Sequence, residues 1–372
     1  MKRDVSVWAG VLAAVVSVSA GAEEPAPPRQ DVSAEVHRPF NFSLLPGIGT
    51  NGFSSGNVVN NLSLGVFATH AGRVDGLAAA MVGNWVDGEL RGLGMAMGAN
   101  YAGQVRGMQF ALGGNVAGGS MRGWQTAVGV NVASGELVGA QVAVGLNIAA
   151  GPSRGLQASS GINIARHLEG GQLSLLNVGG EVSGAQVGLI NVARRMKGLQ
   201  LGLINVAREA EGANLGLLNF VGNGQHHVQV WASDLSMTNV ALKFGGKYFH
   251  TLFTVGLRPG REGQRRWWAA GMGFGAHIPF GPLFLDLDAL ASSLHEGRLI
   301  SPSGNLLGQL RLLGGWQPFS HFAVFGGVTV NSLVNFHGEE PRGMDRWGQG
   351  FVYSEDAVRV RTWPGLVAGV QL

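Results

Sequence analysis

The stretch GWQTAVGVNVASGELVGAQVAVGLNIA (residues 123–149) holds two copies of one unit, G-x-Q-x-(A/G)-x-G-x-N-x-A. In the first copy Gly123, Gln125, Ala127, Gly129, Asn131 and Ala133 alternate with Trp124, Thr126, Val128, Val130 and Val132. Side chains along a strand point to opposite faces with a period of two, so each copy reads as a strand. One face is small or carries an amide; the other is apolar and often β-branched. A helix does not fit, because each interior Gly would cost it about 1 kcal/mol.

Outward from this stretch the unit recurs from Gly76 to Asn219, as in GAQVGLINVA (184–193) and GLQLGLINVA (198–207). Its asparagines fall at 84, 100, 115, 131, 147, 163, 177, 191, 205 and 219, in steps of 14 to 16. From Gly171 onward the Gln-to-Asn spacing drops from six residues to five. Strict alternation then puts Asn205 on the face of Leu199, Leu201 and Leu203, unless a bulge restores the phase. Charges such as Arg194, Arg195, Lys197, Arg208, Glu209 and Glu211 collect between units, where turns are expected.

Two architectures accommodate such units. In an antiparallel meander each unit is a strand of about 10 residues, enough to cross a bilayer when tilted. The apolar face then meets lipid. Gln109, Asn115, Gln125, Asn131, Gln141, Asn147, Gln157 and Asn163 then face a lumen, as a polar wall or in mutual hydrogen bonds. In a solenoid each unit is one coil, the apolar face fills a core and the asparagines stack in a ladder.

Residues 225–372 lose the repeat and keep the alternation. Leu283, Leu285, Leu287 and Ala289 share one face, with Asp286 and Asp288 on the other; Leu306, Gly308, Leu310 and Leu312 face away from Gln309 and Arg311. Aromatics such as Trp267, Trp268, Phe280, Trp316 and Phe319 gather near segment ends. Polar loops (258–266, 293–304, 334–362) alternate with tight turns (PFGP 279–282, QPFS 317–320). Outer-membrane barrels have this pattern of long external loops and short periplasmic turns. These loops tip the expectation toward one all-β, antiparallel up-and-down transmembrane β-barrel of roughly 18–20 strands. It would span 39–372, with strands also near 40–47 and 61–69, repeat strands over 76–222 and non-repetitive strands over 223–372. The alternative is a β-solenoid repeat block plus a smaller β-domain.

Composition agrees with an envelope protein. Charged residues are 13% of the chain, about half the usual share, and the net charge of +3 is scattered, so no nucleic-acid footprint is expected. With no cysteine there is no disulfide, thiol catalysis, cysteine-ligated metal or lipid-modified N-terminal Cys. Lys2 and Arg3, the apolar run Val5–Val18 and Ala20-Gly21-Ala22 read as a signal peptide over 1–22, cleaved after Ala22. The Pro- and charge-rich residues 23–38 read as a flexible periplasmic lead-in. The expected location is the bacterial outer membrane, with outer-membrane lipid and the barrel-assembly machinery as partners.

The GLQLGLINVA-type units resemble the "surface repeat" family of uncharacterised bacterial cell-envelope proteins. FNFSLLPGIGTNG and, near the C-terminus, WWAAGMGFGAHIPFG look like companions of those repeats. The resemblance covers most of residues 40–372. It implies envelope placement and brings no activity or functional residue with it.

Candidate chemistry is sparse. Asp286, Asp288 and Arg311 fall on the expected lumen face of neighbouring strands, as a solute-selecting constriction or an internal salt-bridge network. His226-His227 and His295-Glu296 are adjacent on strands and face opposite ways, so neither pair makes a chelating face. Ser292, Ser293 and His295 suggest an outer-membrane hydrolase, but spacing alone yields no nucleophile–base–orienter set. Gly271, Gly273 and Gly275 lack the following helix of a nucleotide loop. The expected function is a non-enzymatic, cofactor-free pore or structural protein, porin-like. The alternative is a surface-exposed solenoid for adhesion or interaction.

Overall fold

A computed structural model describes residues 35–235, 237–260, 265–299, 303–336, 351–355 and 358–372. The expected signal peptide (1–22), most of the lead-in and much of the 334–362 connection lie outside these residues. The chain divides into two compact units, Met1–Ser174 and Leu175–Leu372. The fold is all-β, with β-solenoid coils, about 11 turns over both units, and a closed 8-strand barrel. Of the two architectures open to the repeats, the structure takes the second.

Within the first unit, Met121–Ala127 and Val130–Ala133 are joined by a two-residue bend, and the chain then begins the next coil at Leu137. Successive coils pair in parallel: Gln125 lies beside Gln109 and Gln141, and Asn131 beside Asn115 and Asn147. The expected meander required antiparallel neighbours. Alternation could not decide between them, because it is a property of one strand and not of its partners. The segments near 40–47 and 61–69 are likewise solenoid strands, with Phe40 beside Leu62 in parallel. The barrel is therefore confined to the last part of the chain and does not extend over 39–372.

The coil interior inverts one expectation. The amide and small face points inward and the apolar face points out. Gln109, Asn115, Gln125, Asn131, Gln141, Asn147, Gln157 and Asn163 are all fully buried, while Trp124, Val128 and Val144 are exposed. Near the charged end of each coil a second stack, Leu90, Val105, Met121 and Leu137, supplies apolar filling.

Each coil also needs one glycine. Gly123 and Gly139 have φ of 133° and 134°. A Cβ on Gly139 would sit 1.9 Å from the Gly123 carbonyl oxygen. Only a residue without a Cβ tolerates both the conformation and the close approach.

Coils of the second unit repeat this plan with the shorter step. Asn177, Asn191, Asn205 and Asn219 stack in register, as do Gln186, Gln200 and Asn214. Gln186, Gln200, Asn191 and Asn205 are all fully buried, while Leu201 and Leu203 are exposed. Asn205 therefore does not share a face with those leucines. The phase is reset at the bend: it spans two residues in both kinds of coil, but only Leu201 lies between Gln200 and its bend, against Thr126 and Ala127 after Gln125.

From Gln225 the strands become antiparallel: Gln225–Ser233, Thr238–Gly245, Phe249–Arg258, Trp267–Phe280, Leu283–Glu296, Asn305–Phe319, Phe322–Asn335 and Val358–Gln371. Each pairs with the next, and the last pairs with the first through Gln371–Gln229 and Val367–Ser233, which closes the barrel. Phe351–Glu355 extends the final hairpin outside the ring. The turn at 281–282 and the connection at 297–304 keep the expected short and long alternation. Among the described residues, no helix is long and apolar enough to cross a membrane.

Candidate functional site

The barrel interior carries the chain's densest chemistry. Asp286 and Asp288 lie on the inner face of Leu283–Glu296, between outward Leu285, Leu287 and Ala289. Each carboxylate takes one cation and one histidine. Asp286 accepts from Lys243 Nζ at 2.7 Å and from His277 Nδ1 at 2.6 Å. Asp288 accepts from Arg311 Nη2 at 2.6 Å and from His250 Nε2 at 2.8 Å. Asp288 and Arg311 are direct cross-strand partners. Lys243, His250, Asp286, Asp288 and Arg311 are all buried.

Apolar and aromatic groups hold this cluster. The Arg311 guanidinium lies 4.6 Å from the centroid of the Trp231 ring, and Lys243 Nζ lies 5.8 Å from that of Phe284. Trp231, Leu252, Leu290, Leu313 and Phe325 form a buried cluster in the barrel. Gly275 makes the room: a Cβ there would come within 2.1 Å of Asp288 Oδ1 and 2.3 Å of His250 Nε2. The alternating glycines of Trp267–Phe280 thus serve packing, since Gly273 and Gly271 face Leu290 and Ser292 in the same way.

The sequence reading singled out Asp286, Asp288 and Arg311, and the structure brings all three together inside the barrel. It missed Lys243, His250 and His277, which come from three other strands. One sign was available: Lys243 is a lone charge in the otherwise apolar alternation of NVALKFG (239–245). The eight glutamine and asparagine candidates are not part of this cluster. They form ladders inside the solenoid, with Asn131 donating to Asn147 at 2.9 Å and Gln141 to Gln125 at 2.9 Å.

His250, Asp286 and Asp288 offer ligand atoms within 4.8 Å of one another. The donor set nevertheless does not suit a dication. Its two carboxylates are already balanced by Lys243 and Arg311, and a metal would have to sit beside two fixed positive charges. The arrangement is an ion-pair network inside the barrel, in which Arg311 Nε and Nη1 and His250 Nδ1 have no hydrogen-bond partner among the described residues.

The remaining candidates are peripheral. Ser293 Oγ and His295 Nε2 are 2.8 Å apart, whereas Ser292 points inward. An acyl-transfer site also needs free donors for an oxyanion. Around Ser293 the strand is paired on both sides, with Ala270 and Leu306 as partners. Also within the second unit, a cleft of about 350 Å³ separates the last coils (Leu201, Leu215) from the barrel wall (Phe249, His250, Phe274). Thr251 ties the two sides by donating from Oγ1 to the Gly216 carbonyl at 2.9 Å.

No protein-family model matches the chain, and neither a curated protein nor a solved structure matches it.

Proposed function

We propose that this is a surface-repeat protein of the bacterial envelope, in which the eight-stranded barrel is the membrane anchor and the solenoid is the interaction body. One observation carries the reading: the barrel is apolar outside and charged inside. Leu310 and Leu366 are 58% and 69% exposed, whereas Arg311, Lys243 and Asp286 are at most 1% exposed. Water-soluble domains bury the first kind of residue and expose the second. Lipid-spanning barrels do the reverse. Length agrees for the five longer strands: the 14 residues of Trp267–Phe280 extend about 46 Å, or about 33 Å when tilted by about 45°, against a hydrocarbon core of about 30 Å, whereas Gln225–Ser233, Thr238–Gly245 and Phe249–Arg258 have 9, 8 and 10 residues.

An anchor is favoured over a pore because the barrel is filled. Eight strands enclose a space just wide enough for side chains. Here Arg311, Lys243, Trp231 and Phe284 occupy it. The proposal includes the outer membrane as location, lipid and the barrel-assembly machinery as partners, and a non-enzymatic role. Membership of the surface-repeat family belongs to the same proposal, supported by the stacked repeat units.

Fractionation and heat-modifiable gel migration test it together. The protein is expected in the outer-membrane fraction, running as a compact band until boiled. Recovery from the soluble periplasm without detergent would overturn the reading.

A further inference from the structure

We propose that the solenoid itself enters lipid, with the bend edge of its coils sunk about one leaflet deep and its charged edge left in water. This rests on the reading of the barrel as a membrane anchor and adds a second membrane-contacting surface to it.

The coil at 122–136 shows the layout. Its outward residues run Arg122, Trp124, Thr126, Val128, then past the bend Val130, Val132 and Ser134. Arg122 and Glu136 pair at 3.2 Å at the far end. No charged residue lies between them, nor anywhere in 139–153 or 155–165. Val128 and Val144, at the bends, are 52% and 57% exposed. In the second unit Leu189 and Leu203 occupy the same place and are also exposed, while Glu181, Arg194 and Arg195 pair at the charged end.

Three features select acyl chains as the occupant. The first is depth. Trp124 and Val128 are four residue steps apart, about 13 Å of strand, close to half of a hydrocarbon core of about 30 Å. The second is the border. Trp85 donates from Nε1 to Asp87 Oδ1 at 2.8 Å while stacking on Tyr101, whereas Trp124, two residues from Arg122, turns its Nε1 toward the bend and donates to Thr126 Oγ1. Aromatic rings with polar tips sit this way at membrane interfaces.

The third is backbone satisfaction, which lipid demands and a water-facing bend does not. Gly129 N donates to Leu112 O at 2.9 Å and Val130 N to Gly113 O at 3.0 Å. The next coil repeats this, with Gly145 N to Val128 O at 2.9 Å and Leu146 N to Gly129 O at 3.0 Å. The apolar surface also wraps both sides of the edge, which suits a surrounding solvent better than a partner covering one face. In the second unit it continues toward the outward Phe274 of the barrel wall, across the cleft from Leu201 and Leu215.

The chain has no cysteine, so single-cysteine variants report cleanly. Val128→Cys, Val144→Cys, Ser134→Cys and the barrel site Leu310→Cys would each carry an environment-sensitive fluorophore. The full chain is refolded into phosphatidylcholine/phosphatidylglycerol vesicles with brominated acyl chains. Quenching at 128 and 144 equal to that at 310, with none at 134, is the expected result. Quenching at 310 without quenching at 128 and 144 overturns the inference and leaves the anchor standing. No quenching at any site overturns the anchor reading as well. Protection of 128 from a water-soluble quencher without bromine quenching means that a second copy or another protein covers the edge, and also overturns it.

Discussion

Replacing Asn147 by Ala should open the solenoid locally. Asn147 Nδ2 donates to Asn163 Oδ1 at 2.9 Å and to the Ala158 carbonyl at 2.8 Å, and its Oδ1 accepts from Asn131 Nδ2 at 2.9 Å. Truncation takes a donor from Asn163 Oδ1 and from Ala158 O in a site that is fully buried. Asn131 keeps its bond to Val142 O at 2.8 Å, so its loss is partial. Two deprived buried groups at about 1–3 kcal/mol each give about 3 kcal/mol. That corresponds to about a hundredfold faster amide exchange across the neighbouring coils if exchange proceeds through local opening. Hydrogen-exchange mass spectrometry on peptides covering 141–165 would read it. The Asn131→Ala/Asn147→Ala double variant should cost less than the sum of the singles, because the two share one bond. If Asn147 instead lined a wet lumen, water would replace its partners and exchange would be unchanged; that result would refute the ladder.

Gly139→Ala, at φ 134° and with its Cβ 1.9 Å from the Gly123 carbonyl oxygen, should destabilise the coil by at least about 2 kcal/mol, seen as a lower urea midpoint. In the barrel, Arg311→Met should cost about 3–5 kcal/mol by leaving Asp288 with His250 alone, and adding Asp288→Asn should restore part of it; an additive double variant would contradict the pairing. Asp234, in the turn after the first barrel strand, accepts from Trp363 Nε1 at 2.9 Å, and burial pushes its carboxyl up from the usual range. Its folded state holds the proton more tightly, so stability falls as pH rises from the unfolded value near about 4 through the raised folded one. Asp234→Asn should therefore be more stable than the parent at neutral pH and lose that advantage below about pH 4, measured by chemical unfolding across pH.

Much of this fold was legible in local pattern. The strands of the repeat, their two faces and the ladder option followed from the spacing of Gln125, Asn131, Gln141 and Asn147. The inward and outward faces of Leu283–Glu296 followed from LDLDAL. Partner choice did not, because parallel and antiparallel neighbours both preserve alternation. Nor did the direction of the faces. An apolar face is expected inside a coil, but in these coils amides that satisfy each other fill most of the interior, and valines and leucines remain outside. The need for glycine at 123 and 139 was invisible for a related reason: only the stacked coil brings the preceding carbonyl against it. Lys243, His250 and His277 join Asp286 and Asp288 through register between strands, which spacing along one strand does not contain.

Parallel stacking of the repeats is the claim on which the rest depends, and a pair of cysteines tests it directly. Thr126 and Val142 both face outward and are direct partners in adjacent coils. Neighbouring strands lie about 4.8 Å apart, within the Cα separation a disulfide accepts. Thr126→Cys with Val142→Cys should oxidise readily to an intramolecular disulfide, while Thr126→Cys with Leu146→Cys, the pair an antiparallel hairpin would join, should not. Cross-linking of the second pair in preference to the first would contradict the solenoid.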